Sequence, residues 1–108
     1  MKHFELRLTA DALRDLNEIY SYIAEHRSEA DADHVLNRIL DATNDTTKFP
    51  NRGAITPELA ALDIRAYREV FFKPYRIIYR VVDDRVYVFV IADGRRDFGS
   101  LLSQRHLR

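Results

Sequence analysis

The sequence of 108 residues contains no cysteine and no tryptophan, and it has only three glycines and three prolines. The lack of cysteine excludes disulfides, thiolate metal sites and a cysteine nucleophile, and it fits a reducing compartment. The three glycines form neither a phosphate-binding loop nor a dinucleotide fingerprint. No apolar run approaches the ~20 residues that span a bilayer, so we expect no membrane segment. The first residues carry acids and no apolar stretch, so we expect no signal peptide.

The histidines do not form a metal-ligating pattern either. None of the four lies four residues from another, and there is no cysteine to join them. They are His3, His26, His34 and His106. The sequence therefore predicts neither a metal site nor a bound cofactor.

The formal net charge is zero, but the charge is unevenly distributed. Residues 1–54 carry 7 basic and 10 acidic side chains, whereas residues 55–108 carry 10 basic and 7 acidic ones. Nine of those last ten bases are arginine, which forms bidentate contacts with carboxylates and phosphates. The content of 46% hydrophobic and 31% charged residues is typical of a globular protein, and we expect one domain over residues 1–108.

The first half of the chain predicts a strand followed by two helices. Residues 3–8 alternate between apolar and polar, which indicates a half-buried strand. Thr9 and Ser28 are expected helix N-caps, with the first helix ending near Arg27 and the second before Pro50. The short connection predicts an antiparallel helical hairpin. The apolar stripes contain Leu13, Leu16, Tyr20 and Ile23 in the first helix, and Ala32, Val35, Leu36, Ile39 and Leu40 in the second.

The second half predicts a three-stranded meander. A turn at 49–53 leads to a connection over 54–63, which contains one helical turn at 57–62 and no strand. Strands are expected at 67–72, 75–82 and 85–92, followed by a short helix that includes Leu101, Leu102 and His106. The predicted fold is α+β, in the order β-α-α-β-β-β, with a mostly antiparallel sheet and the hairpin on one face. Tyr75 and Tyr79 are interpreted as core residues on the strand face opposite the arginines.

Arginines are the strongest functional signal. Strand alternation places Arg76 and Arg80 on the sheet face away from the helices. Other arginines expected near this face are Arg65 or Arg68, Arg95 and Arg96. One interpretation is a site for RNA phosphate or an acidic partner segment. The equal alternative is a solvated face on which the arginines pair with Glu69, Asp93 or Asp97.

Three strings resemble the RelE/ParE superfamily of toxins from type II toxin–antitoxin systems. They are YREV at 67–70, PYRIIYRV at 74–81 and IADGRRD at 91–97, and the FPNRG turn at 49–53 fits as well. The resemblance covers the whole chain. It implies the predicted fold, a cytoplasmic location and a complex with a cognate, ParD-like antitoxin.

The superfamily acts on two different targets. RelE-type members cut mRNA on the ribosome without a metal, and ParE-type members inhibit DNA gyrase. Arg76 and Arg96 match two arginines of the nuclease site, and Arg68 could replace one of its lysines. The nuclease tyrosine falls near Leu102, however, and only His106 partly matches the histidine of related members. Because arginine rarely transfers protons, the general acid and base are missing, which favours the gyrase inhibitor with no catalytic residues.

The resemblance also implies where an antitoxin would bind. An antitoxin helix would lie along the groove formed by residues 10–45, on Leu13, Leu16, Tyr20, Ile23, Val35 and Ile39. Its acidic arm would then pair with Arg76, Arg80 and Arg96 on the sheet. The mRNA endoribonuclease and a degenerate member that only binds the antitoxin remain the alternatives.

Overall fold

The computed structural model describes residues 4–105 and residue 107. His3 and His106, which the sequence assigned to the first strand and the last helix, lie outside these residues. The elements are β1 Glu5–Leu8, α1 Ala10–His26, α2 Glu29–Lys48, β2 Ala54–Ile55, α3 Pro57–Ala60, β3 Tyr67–Phe72, β4 Tyr75–Val82, β5 Arg85–Asp93 and α4 Phe98–Ser103.

Both long helices begin at the predicted caps. The Thr9 hydroxyl accepts a hydrogen bond from the Ala12 backbone N–H at 3.1 Å, and the Ser28 hydroxyl accepts one from the Asp31 N–H at 3.0 Å. Each cap satisfies a backbone donor that the first turn of a helix leaves unpaired. The second helix ends at Lys48, before the proline at position 50. The helical hairpin is therefore confirmed.

The sheet has the strand order β1-β5-β4-β3-β2, in which β1 runs parallel to β5 and the other pairs are antiparallel. This confirms the α+β class and the predicted meander of β3, β4 and β5. The prediction that residues 54–63 contain no strand is wrong, because Ala54 and Ile55 pair with Glu69 and Arg68. The strand β2 has only two residues, which are too few to show the alternation of apolar and polar residues by which a strand is recognised in a sequence.

The two faces of the sheet carry separate cores. On the hairpin face, which packs on α1 and α2, Ala12, Ile39 and Tyr79 are fully buried. The opposite face, here called the outer face, carries Arg76, Ile78 and Arg80 on β4. A second cluster around Ile78 includes residues of α3 and α4, so these short helices cover part of the outer face. The expectation of an open, solvated arginine face is therefore wrong in this covered part.

A bulge in β5 adds an aromatic side chain to the outer face. Ile78 pairs with Val90, but the next residue, Tyr79, pairs with Val88, so Phe89 has no partner of its own in β4. Phe89 and Val90 both pack in the outer cluster, whereas Val88 belongs to the core under the hairpin. The extra residue thus shifts the alternation of side chains by one position.

Candidate functional site

Arg76 is buried on the outer face between two carboxylates. Its Nη2 donates to Glu69 Oε1 at 2.6 Å and to Glu58 Oε1 at 2.7 Å, and its Nη1 donates to Glu58 Oε2 at 3.0 Å. The guanidinium also lies 3.9 Å from the centre of the Phe98 ring, and the side chain is only 11% exposed. The hydrogen bonds that Arg76 donates to Glu58 raise the pKa of Arg76 and lower the pKa of Glu58.

In this geometry Arg76 is already engaged within the chain. A single guanidinium with two carboxylates has no positive charge left for a phosphate or for an acidic partner. The predicted pairing with Glu69 is present, but the pair is buried and not solvated. Arg76 therefore connects β4 to β3 and α3, and it is not accessible as an antitoxin contact.

Arg68 lies on the other face of the sheet. It stands directly opposite Tyr79 in the β3–β4 pair, and directly opposed residues point to the same face. Its Nη1 donates to the carbonyl oxygens of Gly53 at 2.8 Å and Asn51 at 3.2 Å. Arg68 therefore holds the turn before β2. It does not complete a nuclease site with Arg76, as the sequence had suggested.

Two arginines lie in the turn after β5, Arg95 and Arg96, and they differ in whether they are paired with an acid. Arg95 forms the predicted ion pair with Asp93, with Nη2 2.7 Å from Oδ2. Arg96 is exposed, and within residues 4–105 and 107 it forms no ion pair. Asp97 accepts a hydrogen bond from the Ser100 N–H and caps α4. Arg96 therefore remains accessible to a partner.

Arg80 is the other accessible arginine of the predicted set. It is half-buried on β4, directly between Tyr67 on β3 and Tyr87 on β5. Its guanidinium carbon lies 5.6 Å from the centre of the Tyr67 ring, which is within the range of a cation–π contact. In the described part of the chain, no carboxylate forms an ion pair with Arg80.

Most of the predicted antitoxin contacts on the helices pack within the chain itself. Leu16, Ile23 and Ile39 are buried in the core of the protein itself, and Ile39 is 0% exposed. Val35 packs against that core, and the Tyr20 hydroxyl donates to Asp33 of α2 at 2.7 Å. Leu13, at 50%, is the most exposed of the six predicted helix contacts. These stripes face inward because the sheet is their partner.

A buried pair that the sequence did not reveal joins α1 to the C-terminal segment. Asp15 Oδ1 accepts from Arg105 Nη2 at 2.6 Å, and Asp15 Oδ2 accepts from Arg105 Nη1 at 2.9 Å. The same Oδ2 accepts from the Ile91 N–H at 3.0 Å, and Arg105 donates to the Phe89 carbonyl oxygen. The available signal was an acid directly beside Leu16, next to the apolar stripe of α1.

The described histidines and the Tyr79 side chain lie on the hairpin side of the sheet, away from the Arg76 guanidinium. His26 stacks on Tyr22, and His34 is exposed; both lie on the helices, across the sheet from Arg76. The Tyr79 hydroxyl donates to the Pro50 carbonyl oxygen at 2.7 Å, and burial raises its pKa. Within residues 4–105 and 107, no three His, Asp or Glu side chains are grouped as metal ligands. None of the helices in these residues has the length and apolar character that crossing a membrane requires.

Comparisons with known proteins agree with this architecture. Residues 6–98 match the family model described as "ParE toxin of type II toxin-antitoxin system, parDE". The chromosomal ParDE toxin–antitoxin system from P. aeruginosa contains a similar structure, with a TM-score of 0.70 and 19% identity over 84% of this chain and 96% of that one. The RelBE2 toxin–antitoxin complex from Mycobacterium tuberculosis gives a TM-score of 0.62 and 18% identity, over 84% and 98% of the two chains. No curated protein sequence gives a significant match.

Proposed function

Since this chain belongs to the ParE toxin family of type II toxin–antitoxin systems, we propose that it inhibits DNA gyrase in the cytoplasm. A cognate antitoxin, ParD-like and encoded beside it, holds the toxin inactive. The proposed activity requires no metal ion and no cofactor. It also requires no cleavage of RNA.

The neutralised Arg76 is the observation that carries the choice of gyrase over mRNA. Cleavage by a 2′-hydroxyl needs a base, an acid and positive charge on the pentacovalent phosphate. Arg76 is the residue that best matches a phosphate-binding arginine, yet Glu58 and Glu69 accept three hydrogen bonds from its two terminal nitrogens. Placing a phosphate there would require breaking a buried ion pair, which costs several kcal/mol.

The other two arginines of the nuclease alternative do not compensate for this. Arg68 lies on the hairpin face and donates to backbone carbonyl oxygens, while Arg96 lies in the turn after β5. Groups that stabilise a reacting phosphate have to lie only about 3 Å from it, and side chains on opposite faces of a sheet do not meet in this way. This separation supports a toxin that acts by binding.

An antitoxin partner is supported by the two similar structures, which are both toxin–antitoxin systems. Leu13 on α1 and Arg96 after β5 are the exposed residues of the predicted contact set, and Arg80 on β4 is half-buried with no ion-pair partner among the described residues. The half-buried Tyr20 and Val35 are distinct from Arg80, because they contact α2 or the core. Leu13, Arg80 and Arg96 lie on both layers of the fold, so an antitoxin that uses all three must extend from the helices to the sheet.

Two assays on the purified chain test the proposed target. Supercoiling by DNA gyrase should be inhibited in proportion to the chain added, whereas mRNA on programmed ribosomes should stay intact. Arg96→Ala separates the alternatives, because Arg96 is the accessible arginine of the nuclease set. Cleavage of mRNA that Arg96→Ala abolishes would overturn the proposal in favour of the endoribonuclease. A chain that neither inhibits gyrase nor cleaves mRNA, but still binds the antitoxin, would be a degenerate member.

Co-expression with the adjacent reading frame tests the antitoxin. We expect the neighbouring product to co-purify with this chain and to restore growth of cells that express it. A neighbour that does neither would contradict the proposed pairing, whatever the gyrase assay shows.

A further inference from the structure

A cavity lies on the outer face, at the start of α1. It has a volume of about 670 Å³, and we call it the Arg80 pocket. Its lining includes Ala10, Arg80, Val82, Tyr87, Phe89 and Arg105. This volume falls within the range of pockets that hold a small ligand or a few side chains of a partner.

The floor of the Arg80 pocket is apolar. Tyr87 and Phe89 supply two aromatic rings, and the β5 bulge is what places Phe89 on this face. Val82 is 39% exposed at the rim, which leaves apolar surface in contact with water. A ligand that buries this surface gains free energy in proportion to the apolar area covered.

Arg80 gives the pocket its charge preference. The second cation in the wall, Arg105, is neutralised by Asp15, and the one acid at the rim, Asp11, pairs with Arg14 at 2.7 Å. Within the described residues, Arg80 has no carboxylate partner, and Tyr67 and Tyr87 flank it on the neighbouring strands. The unmatched charge of the pocket is thus a single guanidinium, which lies over the Tyr67 ring.

The backbone beside the pocket limits how a peptide can bind. β1 covers the edge of β5 only as far as Val88, and beyond it an added strand would have to pair with the Phe89 carbonyl oxygen and the Ile91 N–H. Arg105 and Asp15 already bond to these two groups. A partner segment is therefore recognised here through its side chains and not by strand addition.

We propose that the Arg80 pocket binds a segment of the antitoxin in which a bulky apolar side chain lies next to a carboxylate. The apolar side chain covers Val82, Tyr87 and Phe89, and the carboxylate pairs with Arg80. A nucleic acid fits this site less well, because its backbone requires several cations and the pocket has one unpaired. This inference rests on the proposed function, since it assigns a site to the antitoxin of that proposal.

Affinity measurements with purified variants test the pocket. The probe is the product of the adjacent reading frame, titrated into the wild-type chain, Arg80→Ala, Arg80→Glu and Ala10→Trp. We expect Arg80→Ala to raise the Kd at least tenfold and Arg80→Glu to raise it further. Ala10→Trp fills the pocket without a change of charge and should also weaken binding. Arg38→Ala is the matched control, because Arg38 is an exposed arginine of α2 and its loss should change the Kd less than twofold.

The outcomes separate this inference from the proposed function. If the wild-type chain does not bind the antitoxin, the proposed pairing fails. Suppose instead that the wild-type chain binds, and that Arg80→Ala and Ala10→Trp are folded, with the circular dichroism and melting temperature of the wild type. If their Kd for the antitoxin then lies within twofold of the wild-type value, the pocket inference alone is overturned. The pocket inference is also overturned if the pocket variants keep the antitoxin affinity of the wild type but lose either gyrase inhibition or binding to a single-stranded RNA oligonucleotide. The pocket would then serve another partner.

Discussion

Asp15 and Arg105 form a buried, bidentate ion pair although they are 90 residues apart in the chain. Each also bonds to the backbone of β5, Asp15 to the Ile91 N–H and Arg105 to the Phe89 carbonyl oxygen. The pair therefore joins α1, β5 and the segment after α4 at one point. The hydrogen bonds that Arg105 donates to Asp15 raise the pKa of Arg105 and so favour its charged form.

Asp15→Ala should lower the free energy of unfolding by about 3–5 kcal/mol, because it leaves Arg105 buried without a counter-ion. Urea denaturation at neutral pH measures the loss. Arg14→Ala is the control, since the Arg14–Asp11 pair is exposed and worth less than about 1 kcal/mol. Similar losses in the two variants would contradict the role assigned to Asp15.

Arg76→Ala should also destabilise the fold by about 3–5 kcal/mol, since Glu69 would remain buried and unpaired. The double variant Arg76→Ala, Glu69→Gln should recover part of this loss, because the unpaired charge is removed. Denaturation of the two single variants, the double variant and the wild type gives the coupling energy. A coupling near zero would mean that the two side chains do not stabilise each other.

Stability should fall in acid partly through Glu58. The Arg76 hydrogen bonds hold the pKa of folded Glu58 below its ordinary value of 4.5. The stabilisation is thus fully present above that value and is lost as the pH falls through the lower, folded pKa. Melting temperatures between about pH 6 and pH 3 should decrease less steeply for Glu58→Gln than for the wild type. Parallel curves would show that Glu58 does not contribute.

Gly53→Ala should destabilise the protein by about 1–3 kcal/mol through overpacking. A Cβ atom at this position would lie 2.6 Å from Tyr79 Oη and 2.7 Å from the Glu69 carbonyl oxygen. At Gly99, in α4, the nearest contact of a Cβ atom is Asp97 Oδ1 at 3.3 Å. Gly99→Ala should therefore be neutral or stabilising, because alanine favours a helix by up to ~1 kcal/mol. Thermal melts of both variants distinguish the sites.

Periodicity was sufficient to predict the helical hairpin and the meander. The caps at Thr9 and Ser28 and the alternation along β4 are local patterns, and the structure contains them as expected. An apolar stripe, however, does not say which surface covers it. Leu16 and Ile39 were assigned to a partner for this reason, whereas the sheet of the same chain covers them.

Features that depend on distant residues could not be predicted in the same way. Glu58 lies in a connection 18 residues before Arg76, and nothing in the local sequence shows that α3 brings the two together. The bulge at Phe89 is equally hidden, because the apolar run of β5 is continuous and has no visible period. The first feature neutralises Arg76, and the second adds an aromatic side chain to the outer face.

The Tyr79 hydroxyl has a consequence for hydrogen exchange. It accepts from the Gly53 N–H at 3.2 Å while it donates to the Pro50 carbonyl oxygen, and so it fastens the 49–53 turn to the middle of β4. An amide in a turn normally exchanges with solvent through small local openings. The Gly53 amide instead depends on a strand in the centre of the sheet, so its exchange rate should report the global unfolding of the protein.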